Sequence, residues 1–263
     1  MEKKALLVIS FGTSYAETRK KTIAATEKRL QKAFPDHDFY RAFTSRMIIN
    51  KLKQRDNESV DVPRDALKKL KAAGYTHVRC QTTHIINGYE YEITLKELKD
   101  FEADFESLIL GRPLLTTVED YEETIDIVMG QVPKLKKDQA LVYMGHGTDH
   151  HANATYPCLD YMFKMKGFDN VYVGTVEGFP ELENIVPVLK DKKYKKVYLA
   201  PFMLVAGDHA TNDMASDDEE SWKSVLEDEG FKVECILEGL GEYSGIQDLF
   251  AAHLKKAQPV AEM

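Results

Sequence analysis

Two stretches of this 263-residue chain superpose on two others without a gap, and no other feature restricts its architecture as strongly. Leu6–Ser14 (LLVISFGTS) aligns with Leu141–Asp149 (LVYMGHGTD), bringing Gly12-Thr13 onto Gly147-Thr148 and Phe11 opposite His146. Val78–Glu90 (VRCQTTHIINGYE) aligns with Val197–His209, pairing Ile86 with Val205, Gly88 with Gly207 and Glu90 with His209. Each match is short, but the two occur in the same order in both halves, as an internal duplication requires.

Around these stretches, apolar runs of strand length alternate with longer amphipathic runs. Strands are expected at 5–9, 38–43, 78–82, 107–110, 140–144, 170–175, 196–202 and 232–237. Helices are expected at about 15–33, through Met47–Leu52, from Pro63 to about 73, and at about 92–106, 119–129, 154–165 and 181–190. A further helix is expected after an N-cap at Ser216, and a last one ends near residue 257. Asp217, Asp218, Glu219 and Glu220 would fall in the first turn after Ser216, where acids complement the helix dipole. Residues after Gln258 are expected to fray. Strands separated by helices call for an α/β fold with parallel sheets and right-handed crossovers. The Lys-rich connector Pro133–Asp138 divides the chain into an N-terminal half, 1–132, and a C-terminal half, 133–263.

A formal net charge of -8 argues against a nucleic-acid binder working by bulk electrostatics. Any anionic ligand must then be held by local cations or backbone amides. Cys80, Cys158 and Cys235 are odd in number and unpaired in sequence, as expected of reduced thiols in a cytoplasmic protein. The apolar run at 5–9 is too short for a signal peptide or a membrane span, so no membrane association is expected.

In an open parallel sheet, ligands sit beyond the carboxyl ends of the strands, near the point where strand order reverses. His146 in MGHGT, Glu177 in TVEG and His209 in AGDHA each lie just past such an end. Two imidazoles and a carboxylate suit a divalent first-row metal with positions left open for other ligands. The adjacent His150 and His151 read as rim residues, with a secondary metal site as the alternative, and His37, His77 and His253 carry no functional signal.

SFGTS, RAFTSRMIINKL, THIINGYEYE, MGHGT and the long PFMLVAGDHATNDMASDDEESW together resemble the anaerobic sirohydrochlorin cobaltochelatases of the cobalamin pathway, class II chelatases related to ferrochelatase. The resemblance covers essentially the whole chain. It implies two similar flavodoxin-like halves around a cleft, and insertion of Co2+ into sirohydrochlorin or its precursor without ATP or an organic cofactor. It also implies His146, Glu177 and His209 as metal ligands, with Glu90 of INGYE as a further active-site acid. An imidazole titrates near neutral pH, so His146 is the expected base as well as a ligand.

The N-terminal half becomes the expected substrate wall. Ser10, Thr13, Ser14, Thr44, Ser45 and Arg46 are candidates for the substrate carboxylates, Phe11 for stacking on the macrocycle, and His84 and Tyr89 for further substrate contacts. The ligand set also accepts Fe2+ or Ni2+, so a ferrochelatase serving sirohaem and a non-catalytic tetrapyrrole or metal carrier are the competing readings. A homo-oligomer is compatible with either.

Overall fold

Strands and helices alternate through the computed structural model, which describes residues 2–263. In chain order these are β1 (Lys4–Ser10), α1 (Ala16–Lys21), α2 (Ile23–Ala33), β2 (Asp38–Phe43), α3 (Arg46–Asp56), α4 (Pro63–Ala72), β3 (His77–Thr82), α5 (Tyr89–Lys99) and β4 (Ser107–Gly111). There follow α6 (Val118–Met129), β5 (Gln139–Gly145), α7 (Thr155–Met165), β6 (Val171–Thr175), α8 (Leu182–Asp191), β7 (Lys196–Pro201), α9 (Trp222–Asp228), β8 (Lys232–Cys235), α10 (Ser244–Lys255) and β9 (Gln258–Pro259). The alternation predicted from sequence is the alternation observed.

The chain forms two compact units. One runs to Thr116 and is completed by Ser244–Met263; the other is Thr117–Tyr243. A capping box opens the second unit: Thr117 accepts from the Asp120 amide, and Asp120 accepts from the Thr117 amide. The connector at 133–138 therefore lies inside the second unit, because α6 packs against α7, and α10 returns to pack on α2, β3 and β4 of the first.

In the first unit the sheet order is β2-β1-β3-β4-β9, parallel except for β9. Ala5, Leu7 and Ile9 of β1 face one core with Val78, Cys80, Leu67, Leu70 and Leu98, while Leu6 and Val8 face the other with Leu30 and Leu254. A strand buried on both faces explains the uninterrupted apolar run. The second unit has the order β6-β5-β7-β8, all parallel. Ala140, Val142 and Met144 of β5 pack with Ile185, Leu189 and Trp222. On β5, Tyr143 stacks on Phe163 and meets Phe202 edge-on.

Counted within each unit, both sheets share the order 2-1-3-4, to which β9 adds a fifth, edge strand in the first, with a switch point between the first and third strands. The register repeats too. Leu6 faces Arg79 and Leu7 faces Cys80, as Leu141 faces Tyr198 and Val142 faces Leu199, which are the residues paired by the self-alignment. Even the turns match. The amides of Thr44 and Ser45 donate to the carbonyls of Ser10 and Phe11, and those of Val176 and Glu177 donate to Gly145 and His146. Thr83 donates to Ile9 as Phe202 does to Met144. Gly12 and Gly147, aligned in sequence, both have positive φ, at 99° and 81°.

Several helix ends differ from the sequence pattern. The helix expected at 15–33 breaks at Thr22, whose φ of -109° and ψ of -83° are not helical. The one expected at 92–106 begins at Tyr89, which places Glu90 in its first turn, and ends at Lys99. Ser216 does not cap a helix. Ser221 does so for α9, accepting from the Ser224 amide, and Asp217–Glu220 lie in a bend and turn before it. The tail after Gln258 is tied down, since β9 pairs with β4 and Val260 is fully buried in the first core. His253 is 2% exposed and reaches the Arg112 carbonyl at 3.3 Å, a core histidine holding a strand end.

Candidate metal centre

His146, Glu177 and His209 converge at the carboxyl ends of β5, β6 and β7 in the second unit. One ligand atom from each lies within 4.8 Å of the others. The His146 and His209 rings meet edge to face with centroids 4.8 Å apart, and His146 Nδ1 is 3.8 Å from Glu177 Oε2. Their side chains are 45%, 31% and 58% exposed for His146, His209 and Glu177, so the cluster faces outward, open to an incoming ion.

Backbone packing sets this convergence. A Cβ on Gly147 would lie 2.6 Å from the Gly178 nitrogen and 2.8 Å from the Glu177 carbonyl carbon, so only glycine lets the two turns touch. On Gly145, a Cβ would sit 2.3 Å from the Tyr156 ring. Asn153 then clamps the turns, accepting from the Thr148 amide at 3.2 Å and donating to the Phe179 carbonyl at 2.6 Å. Its role leaves no trace in the sequence, because an asparagine five residues past the turn is an ordinary loop residue.

The imidazoles are oriented from behind. His146 Nδ1 lies 2.9 Å from the Gly147 carbonyl, which only accepts, so Nδ1 carries the proton and Nε2 keeps its lone pair. His209 Nδ1 lies 2.6 Å from Asp213 Oδ2. Neighbouring His150 is not part of this cluster: it is 7% exposed, and its Nδ1 accepts from the Ala152 amide to cap the short turn His151–Ala154.

The substrate residues expected in the first unit gather along its own strand ends. Ser10 is buried and accepts from Thr83 Oγ1 at 2.8 Å, so its hydroxyl is engaged in the turn. Thr13 accepts from the Tyr15 amide, and the carbonyl of buried Ser14 accepts from Arg55. Ser45 caps α3, taking the Ile48 amide at 3.4 Å, while the buried Thr44 hydroxyl has no partner. Arg46 is exposed at the head of α3 and, among the described residues, makes no ion pair. Phe11 and Tyr89 are 45% and 49% exposed, and Glu90 is half-buried at the start of α5.

His84 pairs through Nδ1 with Thr82 Oγ1, and its Nε2 is buried without a partner. Burial lowers its pKa from 6.5 to about 4. As pH falls below 6.5 the unfolded chain takes up a proton that folded His84 refuses until about pH 4. Stability contributed by this group is therefore full above pH 6.5 and is lost down to about pH 4, by about 3 kcal/mol. Denaturant melts at pH 7 and pH 4.5 should show a smaller acid loss for His84→Gln than for the wild type; parallel losses would assign the acid sensitivity elsewhere.

A doubly wound sheet brings two imidazoles and a carboxylate together at its switch point, an α/β scaffold whose side chains could hold a metal ion. Comparison with known proteins narrows the class. The family model described as cobalt chelatase (CbiK) matches residues 4–259, and the chain belongs to that family. The sirohydrochlorin cobaltochelatase of Salmonella typhimurium is 48% identical over 259 residues, covering 98% of each chain. Its counterpart in Nitratidesulfovibrio vulgaris is 35% identical over 260 residues, 98% of this chain and 91% of that one. SirB from Bacillus subtilis, solved with Fe3+, shares the fold with a TM-score of 0.62 at 11% identity, over 97% of this chain and 95% of its own. Among the described residues no helix is long and apolar enough to cross a membrane.

Proposed function

We propose that the protein inserts Co2+ into sirohydrochlorin, with His146, Glu177 and His209 holding the ion in transit. The observation that carries this reading is the 4.8 Å convergence of those three side chains, in a chain 48% identical to a sirohydrochlorin cobaltochelatase. Insertion requires water to be stripped from the ion, two pyrrole protons to be removed, and the ring nitrogens to replace the protein ligands. An open set of two imidazoles and one carboxylate suits an ion that must leave again, better than thiolates would. His146 is also the base: with Nδ1 held by the Gly147 carbonyl, its Nε2 lone pair binds the ion first and accepts one pyrrole proton once the ring nitrogens have taken the ion.

Glu90 serves as a second acid–base group. It aligns with His209, and the register shared by the two units supports that equivalence. The polycarboxylate substrate is held in part by Arg46, a cation without an ion pair among the described residues, with Thr44 and Ser45 shaping the turn that presents it. His84, its Nε2 buried, supports this wall from beneath, and Phe11 and Tyr89 offer exposed rings. Ser10, Thr13 and Ser14 hold the turn that presents them. No ATP or organic cofactor enters this scheme, and the protein works in the cytoplasm.

Anaerobic mixing of purified protein with sirohydrochlorin and Co2+, followed by absorbance, tests the reading. Acceleration over the uncatalysed rate is expected. A rate equal to the blank identifies a carrier, and faster insertion of Fe2+ or Ni2+ from an equimolar mixture reassigns the metal.

A further inference from the structure

The segment that carries His209 is bound to itself at intervals of four residues. Thr211 donates to the Gly207 carbonyl through both its amide and its hydroxyl, Asn212 Nδ2 donates to Asp208 Oδ1 at 3.1 Å, and Ser216 Oγ donates to the Asn212 carbonyl. His209 and Asp213 are the matching pair, 2.6 Å apart. Ala210–Met214 winds as a π-helix, a rare local form that needs tertiary support. Here the support is hydrophobic: Ala210 and Met214 are fully buried against the core of the second unit. The anchored turn leaves His209 and Asp213 together on its outer edge, where they are 31% and 46% exposed.

From this geometry we infer that Asp213 is a positioning residue for cobalt insertion, fixing His209 in the tautomer and rotamer that present Nε2 to the ion. The inference rests on the reading of His209 as a metal ligand. A carboxylate accepts but does not donate, so His209 Nδ1 must carry the proton and Nε2 is left as the donor atom. Without Asp213 the ring could flip or adopt the other tautomer, either of which removes the lone pair from the cluster. The carboxylate also brings a negative charge within one side chain of the bound cation, which it favours electrostatically. His146 is held differently, by the neutral Gly147 carbonyl. The two imidazoles are thus unequal: one is tied to a charged side chain as an anchor, and the other to its own backbone.

Co2+ titrations followed by the visible ligand-field bands, together with KM for Co2+ and kcat, test this in the full-length protein. Asp213→Ala should weaken Co2+ binding about 10- to 100-fold and raise KM for Co2+ by a similar factor, while kcat changes less. Asp213→Asn keeps an oxygen to accept from Nδ1 and should recover most of that loss. Wild-type affinity and KM in Asp213→Ala would overturn the inference, and so would an Asp213→Asn defect as large as that of alanine. His209→Ala separates the two levels of the argument. If it binds Co2+ as the wild type does, the ligand assignment itself fails; if it weakens binding and Asp213→Ala does not, only the positioning role fails.

Discussion

His146→Ala is expected to lose cobalt insertion by a factor of at least 10² to 10⁴, with the fold unchanged. The side chain combines two roles in the proposed reaction. As a ligand it holds the ion beside Glu177 and His209; as a base it accepts a pyrrole proton through Nε2. Losing both at once is worse than losing either, because the ion and the proton acceptor disappear from the same place. Stability should shift by no more than about 0.5 kcal/mol, since a half-exposed side chain contributes little packing. Steady-state rates of insertion, with circular dichroism to verify folding, check this. Free imidazole added to the variant should restore part of the rate if the base is what is missing. Turnover within threefold of wild type would remove His146 from the mechanism.

Gly147→Ala should damage the same site through the backbone. Its φ of 81° disfavours any side chain, and the added Cβ would meet backbone atoms of Glu177 and Gly178 at under 3 Å. Backbone cannot rotate out of the way as a side chain can, so the turns must separate, at about 2–4 kcal/mol. Glu177 moves with them, and Co2+ affinity should fall even at temperatures where the variant stays folded. Gly12→Ala is the comparison. It carries similar strain at φ 99°, but its Cβ meets the Phe43 ring, and the turn holds none of the three proposed ligands. Thermal melts and Co2+ titrations of both variants should show two losses of stability and one loss of affinity. Wild-type affinity in Gly147→Ala would mean that the contact between the turns does not place Glu177.

Much of this was readable from residues alone, for identifiable reasons. Strand runs such as Ala140–Met144, apolar on both faces, can only be central, and the turn residues after them then fall at the site edge. That logic placed His146, Glu177 and His209 together without any contact information. Helix ends were less legible. Ser216 and Ser221 are equally good caps in isolation, and the choice between them was made by burial of Ala210, Met214 and Trp222 around a π-turn. The ordered tail depends on Val260 finding the first core, a long-range contact with no local signature. Asp213 was hidden for a similar reason: a spacing of four residues implies contact only once the segment is known to be helical.

The repeated turns have a practical consequence. At the positions of His146, Glu177 and His209, the first unit carries Phe11, Ser45 and Glu90 on backbone of the same register and with matching turn hydrogen bonds. The molecule therefore carries its own reference state, a natural variant of the proposed metal site in which aromatic and hydroxyl side chains fill two of the three positions. Exchanging residues between the equivalent turns would show how much of the site's behaviour belongs to three side chains and how much to the scaffold they share.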